Sequence, residues 1–298
     1  MEDKSSKIKT INEIQKKKKI AMVWDLDDPF WHPATKESHR TAKMLDFDVE
    51  VFAPSSRGEK GAQEMIKILE KIKNEQFDGI CISPISDPRV AAVMKQIADQ
   101  GTKVIFILSV LDGVKYESLI GTNNLNCGRN AASVIQKLIG NSGEIAVIRW
   151  NGGIIESIED RTRGALDELK HTNIKVHEFS GPGEPTDAET ESCLNSLLTQ
   201  HPGIELLYAT NVGWGLAMAR YIKKHHLDLK LVMVDFTDQV AEYMDNGCVN
   251  AAIAQRPETW GTITLEKMQD CLEGKSITKV IDTGTYEVNP SNMRIYQK

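Results

Sequence analysis

Ile20–Trp31 reads IAMVWDLDDPFW, and it decides the fold. It begins as an apolar run, Ile20 to Trp24, directly after a lysine cluster. A run that short, apolar at every position, fits a strand buried on both faces, as in a parallel sheet. Asp25, Asp27 and Asp28 then arrive together, followed by Pro29, Phe30 and Trp31. Pro29 donates no ladder hydrogen bond and fixes φ, so the strand must end before it. The product is a loop at the carboxyl end of a first strand, carrying carboxylates and two adjacent rings. In open α/β sheets, ligands bind at that edge. Carboxylates accept from hydroxyls and aromatic faces cover C–H surfaces, a combination suited to a sugar. The plain alternative is a capping loop with two half-buried rings.

The same alternation continues along the chain. Strands are expected at 19–25, Val49–Ala53, Ile80–Pro84 and Val104–Leu108, with helices at 33–46 and 58–75 between them. Met65, Ile66, Leu69 and Ile72 form one helical stripe. Asp87-Pro88 reads as N-cap and first turn of the next helix, which Gly101 closes. Near residue 143 the pattern restarts: Glu144–Trp150, EIAVIRW, echoes Lys19–Trp24, KIAMVW. A turn at Asn151-Gly152-Gly153 and a helix at 156–170 follow, and Thr186 with Glu189 forms a capping box. Strands at Ile204–Ala209, Leu231–Val234 and Ala251–Ala254 precede a last helix at 257–273. Two successive β/α halves of similar size predict two lobes with a cleft between them.

Composition narrows the class. With 298 residues, 41% hydrophobic and 26% charged, the chain has the make-up of a soluble globular protein large enough for two domains. No apolar run approaches the roughly 18 residues of a membrane helix. The net charge of −6 is uneven: residues 1–19 carry seven lysines and three acids, and the remainder a balance of −10. An acidic body argues against nucleic acid as a partner. Residues 1–18 read as a lysine-rich, solvated leader. The cysteines Cys81, Cys127, Cys193, Cys248 and Cys271 are odd in number and far apart, which predicts neither a disulfide framework nor a metal site; Cys81 and Cys193 read as core. The first 20 residues lack an apolar h-region, so a signal segment is expected to be absent from this chain.

Polar residues recur where strands end: Asp25, Asp27 and Asp28, Asn123 and Asn124, Asn211, Asp235 and Gln255, with Arg161 after a further strand and turn. Any strand-to-loop junction turns polar, so each alone reads as a cap or turn residue. Their types point further, because planar Asp, Asn, Arg and Gln groups engage adjacent hydroxyls in pairs. The chain has no G-x-S-x-G, H-E-x-x-H or P-loop motif, and its histidines are scattered. No catalytic residue, metal or cofactor is expected.

These segments resemble the ribose/galactose type of periplasmic sugar-binding protein, over about residues 19–290. The resemblance is carried by KKIAMVWDLDDPFW, DGICISPISDPRVAAVM, GTNNLNCGRNAASVI, EDRTRGALDEL, LLTQHPGIELLYATN, DNGCVNAAIAQRPETWG and the final YEVN. It implies a type I periplasmic-binding-protein fold: two Rossmann-like lobes with helix-flanked parallel sheets, joined by a three-strand hinge. The lobes would be 19–123 with 256–283, and 124–255 with 284–298. By position, Asp28, Phe30 and Trp31 would be first-lobe sugar contacts, and Arg161, Asn211, Asp235 and Gln255 second-lobe and hinge contacts. Two departures stand out. Leu108-Ser109 replaces the Asp-Arg that many relatives carry after the fourth strand, and Pro185-Thr186 falls where a second-lobe stacking ring is usual. Trp150 or Trp214 would then supply the missing ring, although Trp214 also reads as a core or surface residue; Trp24 and Trp260 read as packing.

The resemblance implies an extracytoplasmic solute-binding protein, monomeric when free and periplasmic or membrane-associated outside the cell. It would close on a monosaccharide and present it to an ABC permease or a sensor histidine kinase. A pentose such as xylose or ribose comes first, a hexose next, and a furanosyl quorum-sensing signal is a minor alternative. The effector core of a LacI-type regulator shares the fold but needs a DNA-binding segment of about 60 residues, where only about 18 precede the first strand. A glycosidase needs two carboxylates opposed across a bond, and Asp25, Asp27 and Asp28 share one loop.

Overall fold

The computed structural model describes residues 17–150, 156–182 and 185–297. The chain divides into two compact units. One holds the described residues up to Ile120 together with Pro257–Ile281, and the other holds Gly121–Arg256 with the residues from Asp282 onward. The chain therefore passes between units three times.

The first unit is built on β1 (Lys19–Val23), β2 (Asp48–Phe52), β3 (Gly79–Ile82), β4 (Lys103–Ile107) and β5 (Ser118–Gly121), with α1 (His32–Leu45), α2 (Gly58–Glu75) and α3 (Pro88–Asp99) between them. The second unit runs through α4 (Asn124–Ile139), β6 (Ser142–Trp150), α5 (Glu156–Leu169), β7 (Asn173–Gly181), α6 (Asp187–Gln200), β8 (Ile204–Ala209), α7 (Val212–His225), β9 (Lys230–Val234), α8 (Asp238–Asp245) and β10 (Ala251–Ala254). The chain then returns as α9 (Pro257–Leu272), β11 (Val280–Asp282) and β12 (Tyr286–Val288). Among the described residues there are two six-stranded sheets, ordered β11-β5-β4-β3-β1-β2 and β12-β10-β9-β8-β6-β7.

β1 shows why its sequence is apolar throughout. It lies parallel between β2 and β3, with Ile20 opposite Val49 on one side and Gly79 on the other. Successive side chains face opposite ways. Ala21 and Val23 enter a core with Met65 and Leu69 of α2 and Val90 and Met94 of α3. Ile20 and Met22 enter another with Ala34 of α1 and Trp260, Leu265 and Met268 of α9. β6 repeats the arrangement: Ala146 and Ile148 face the helices α6 to α8, while Ile145 and Val147 face α4 and α5.

The expected α/β class and helix-flanked parallel sheets are what the chain forms. The cap signals read from sequence are present as bonds: the Asp87 side chain accepts from Arg89 N, and Thr186 and Glu189 make a reciprocal capping box. β7 escapes the sequence reading because it is an edge strand with polar residues through much of its length. β12, three residues long and antiparallel to β10, is too short to carry a pattern. Cys81 is fully buried, whereas Cys193, expected in the core, is only half-buried against it.

Candidate functional site

In the first unit, the aspartate loop leaves β1 and enters a single 3-10 turn, Pro29–Trp31, directly ahead of α1. Asp28 organises that turn. Its Oδ1 accepts from Phe30 N at 2.8 Å and its carbonyl from Trp31 N at 2.9 Å. The loop is tied to the end of β2, because Asp27 N donates to the Pro54 carbonyl at 2.7 Å. A concavity of about 250 Å³ opens here, with Asp27, Asp28, Trp31, His32 and Thr35 on one wall and Val51–Ala53 on another.

The two adjacent rings do different things. Trp31 is 4% exposed, stacked on Trp24 and tilted against Trp260. Its Nε1 donates to Asp25 Oδ1, and that of Trp24 to Thr35 Oγ1, both at 2.8 Å. Phe30 is half-buried, with its ring edge-on to Trp31. Burial raises the Asp25 carboxyl above its ordinary range, although the Trp31 indole N–H and the Arg57 charge pull the other way.

In the second unit, polar groups gather around the carboxyl ends of β8, β9 and β10. Arg161 is 6% exposed; its Nε donates to Asn124 Oδ1 at 2.9 Å and Nη1 to the Thr210 carbonyl at 3.0 Å. Two glycines bring α4 and α5 close enough for this. A Cβ on Gly128 would lie 2.1 Å from the Arg161 carbonyl, and one on Gly164 would lie 2.1 Å from that of Leu125. Asp235 follows β9 in the left-handed region, φ 76°, which Asp tolerates better than most residues. Its Oδ1 accepts from Gln255 Nε2 at 2.7 Å, while Gln255 Oε1 is buried with no partner. Asn211 caps α7, its side chain accepting from Trp214 N at 2.9 Å. Below them, Tyr208 is fully buried and its hydroxyl has no partner. Burial pushes the Tyr208 phenol well above its ordinary range; Cys127 and Asp235 act in the same direction and Arg161 opposes them.

The structure thus groups Asp28, Phe30 and Trp31 in one unit and Arg161, Asp235 and Gln255 in the other, with Asn211 on the same strand edge. Trp214 stands apart. It is 1% exposed, packed in the core of the second unit, and its Nε1 donates to the Pro182 carbonyl at 2.7 Å. In this arrangement its indole presents no open face. The side chain of Trp150 and the turn at 151–153 lie outside the described residues. No spacing pattern points to Arg57 beside Asp28, or to Asn124 as the partner of Arg161, since both depend on contacts between distant elements.

Residues 20–276 match the family model described as a periplasmic binding protein domain. The chain is 24% identical to the D-allose-binding periplasmic protein of Escherichia coli, over 82% of this chain and 81% of that one. Among solved structures, a solute-binding protein of an ABC transporter from Burkholderia graminis, in complex with D-arabinose, aligns with a TM-score of 0.81 at 24% identity, covering 94% of this chain and 98% of that one. The XylFII–LytSN complex aligns with a TM-score of 0.77 at 23% identity, covering 92% and 98%. At these identities the structural likenesses show the fold.

Proposed function

The chain belongs to the periplasmic binding protein domain family, and from that premise we propose that it is an extracytoplasmic solute-binding protein for a monosaccharide. Polar groups at strand ends bind the sugar, with a pentose the first candidate. It acts by binding rather than by catalysis, is monomeric when free, and hands its bound state to a membrane partner.

The observation that carries this reading is the polar group on the second unit. Arg161, Asp235 and Gln255 are held at strand ends, and Gln255 keeps a buried acceptor oxygen unpaired. An unpaired buried acceptor costs free energy unless a donor arrives, and a sugar hydroxyl is such a donor. On the first unit, Asp28 and Phe30 offer a carboxylate beside a half-buried ring. The D-arabinose seen with one structural neighbour supports a sugar of that size. The XylFII–LytSN neighbour is a complex, which supports a protein partner for the bound state.

A thermal-shift screen against aldoses tests the reading. A true ligand at 100 times its Kd adds about 2.7 kcal/mol of stability. No shift with any aldopentose or aldohexose would overturn it.

A further inference from the structure

Arg57 occupies the N-cap position of α2 with an extended backbone, φ −96° and ψ 173°, and makes no side-chain cap bond. The loop that presents it is fixed. Glu64 accepts from the backbone N–H groups of Ser55 and Ser56 at 2.7 and 3.1 Å, and from both hydroxyls at 3.1 Å. The loop also rests on the first turn of α2, where a Cβ on Gly61 would lie 2.1 Å from the Ser56 carbonyl. The bond from Asp27 N to the Pro54 carbonyl ties it to the aspartate loop.

From this platform the Arg57 guanidinium reaches toward Asp28, with Nη2 3.6 Å from Oδ2. That is an ion pair but too long for a direct hydrogen bond. Asp28 Oδ1 is already committed to Phe30 N, so Oδ2 is the oxygen with capacity to spare. Both side chains of the pair are partly exposed, Arg57 more so than Asp28. A hydroxyl both accepts and donates, so a single one satisfies both members of such a pair.

We infer that Arg57 and Asp28 together read one hydroxyl of the ligand, and that Arg57 is a specificity-determining residue of the first unit. The hydroxyl oxygen accepts from the Arg57 fork, and its hydrogen goes to Asp28 Oδ2. Removing that hydroxyl, or moving it to the other face of the ring, leaves a carboxylate and a guanidinium held together without it. The pair favours a neutral, hydroxyl-rich ligand, since Asp25, Asp27 and Asp28 in one loop repel an anionic one.

This inference rests on the sugar-binding reading above, and calorimetry on the full chain separates the two. The panel is D-xylose, D-ribose, D-arabinose, D-allose and the monodeoxy analogues of whichever binds tightest. Arg57→Met is expected to lose tenfold or more for that sugar. One deoxy analogue should bind wild type and Arg57→Met alike. Arg57→Met combined with Asp28→Asn should lose less than the product of the two single losses, with the melting temperature of Arg57→Met unchanged. Wild-type affinity of Arg57→Met for every sugar that wild type binds would overturn the role of Arg57 and leave the sugar reading standing. Multiplicative losses in the double variant would overturn the shared hydroxyl. Failure of the wild-type protein to bind any sugar of the panel would overturn the reading itself and this inference with it.

Discussion

Trp31 lies flat against Trp24, with ring centroids 4.6 Å apart and planes 8° from parallel. The stack commits the face of Trp31 to packing, and its indole N–H is committed to Asp25. Of the two adjacent rings in the opening loop, Phe30 is the more exposed, while Trp31 lines the concavity with only 4% of its surface exposed.

The two rings should separate on substitution. Phe30→Ala is expected to weaken every bound sugar by similar factors, about tenfold, because a ring face buries C–H surface without selecting a hydroxyl pattern. Trp31→Ala should cost about 3–5 kcal/mol of stability, the usual range for emptying a large aromatic site. Calorimetry and denaturant unfolding of both variants measure this. Wild-type stability in Trp31→Ala would show that the stack is not part of the core.

Arg161 is buried within the fold and is also a proposed sugar contact. Its bonds to Asn124 and the Thr210 carbonyl are buried. Arg161→Met should lose at least about 2 kcal/mol of sugar affinity and about 1–3 kcal/mol of stability, since hydrogen bonds to charged groups are strong and their buried partners are left unsatisfied. A loss of stability with sugar affinity intact would restrict Arg161 to the fold.

The Tyr208 hydroxyl is buried without a partner. Tyr208→Phe removes a group that folding desolvates for no return, so the variant should gain about 1 kcal/mol in denaturant unfolding. A loss of stability would show that the hydroxyl is bonded in solution.

Asp25 should make stability depend on pH. Burial raises its carboxyl above the ordinary 3.8, so the folded chain holds this proton more tightly than the unfolded chain does. Its contribution is complete below pH 3.8 and is lost as pH rises through the folded value. Asp25→Asn keeps an acceptor for the Trp31 indole and does not titrate. Relative to wild type it should become more stable as pH rises from about 3 to about 7, and unfolding curves across that range compare the two. A constant difference between the proteins would mean that Asp25 titrates as an exposed carboxyl.

Much of the fold was legible in local pattern. The apolar runs Ile20–Val23 and Ile145–Ile148 sit between neighbouring strands and under helices on both faces, and burial on both faces is what makes a run apolar at every position. Asp87 and Thr186 cap the helices that their spacing announced, because a cap bond spans only two or three residues. The sequence by itself also determined which residue types stand at the strand ends, and with them the hydroxyl-binding chemistry proposed here. The tertiary structure decided which of those residues meet. Phe30 and Trp31 are neighbours in sequence and alike in type, and both pack against Trp260, yet only Trp31 is stacked on Trp24 and buried. Trp214, a candidate ring by position, is enclosed by Pro182 and the core of its unit. Arg57 reaches Asp28 because two loops are bonded together, and Arg161 reaches Asn124 because Gly128 and Gly164 let two helices touch. Periodicity reports which face of an element is buried; it holds no record of the distance between elements far apart in the chain, and that distance fixes the geometry of a site.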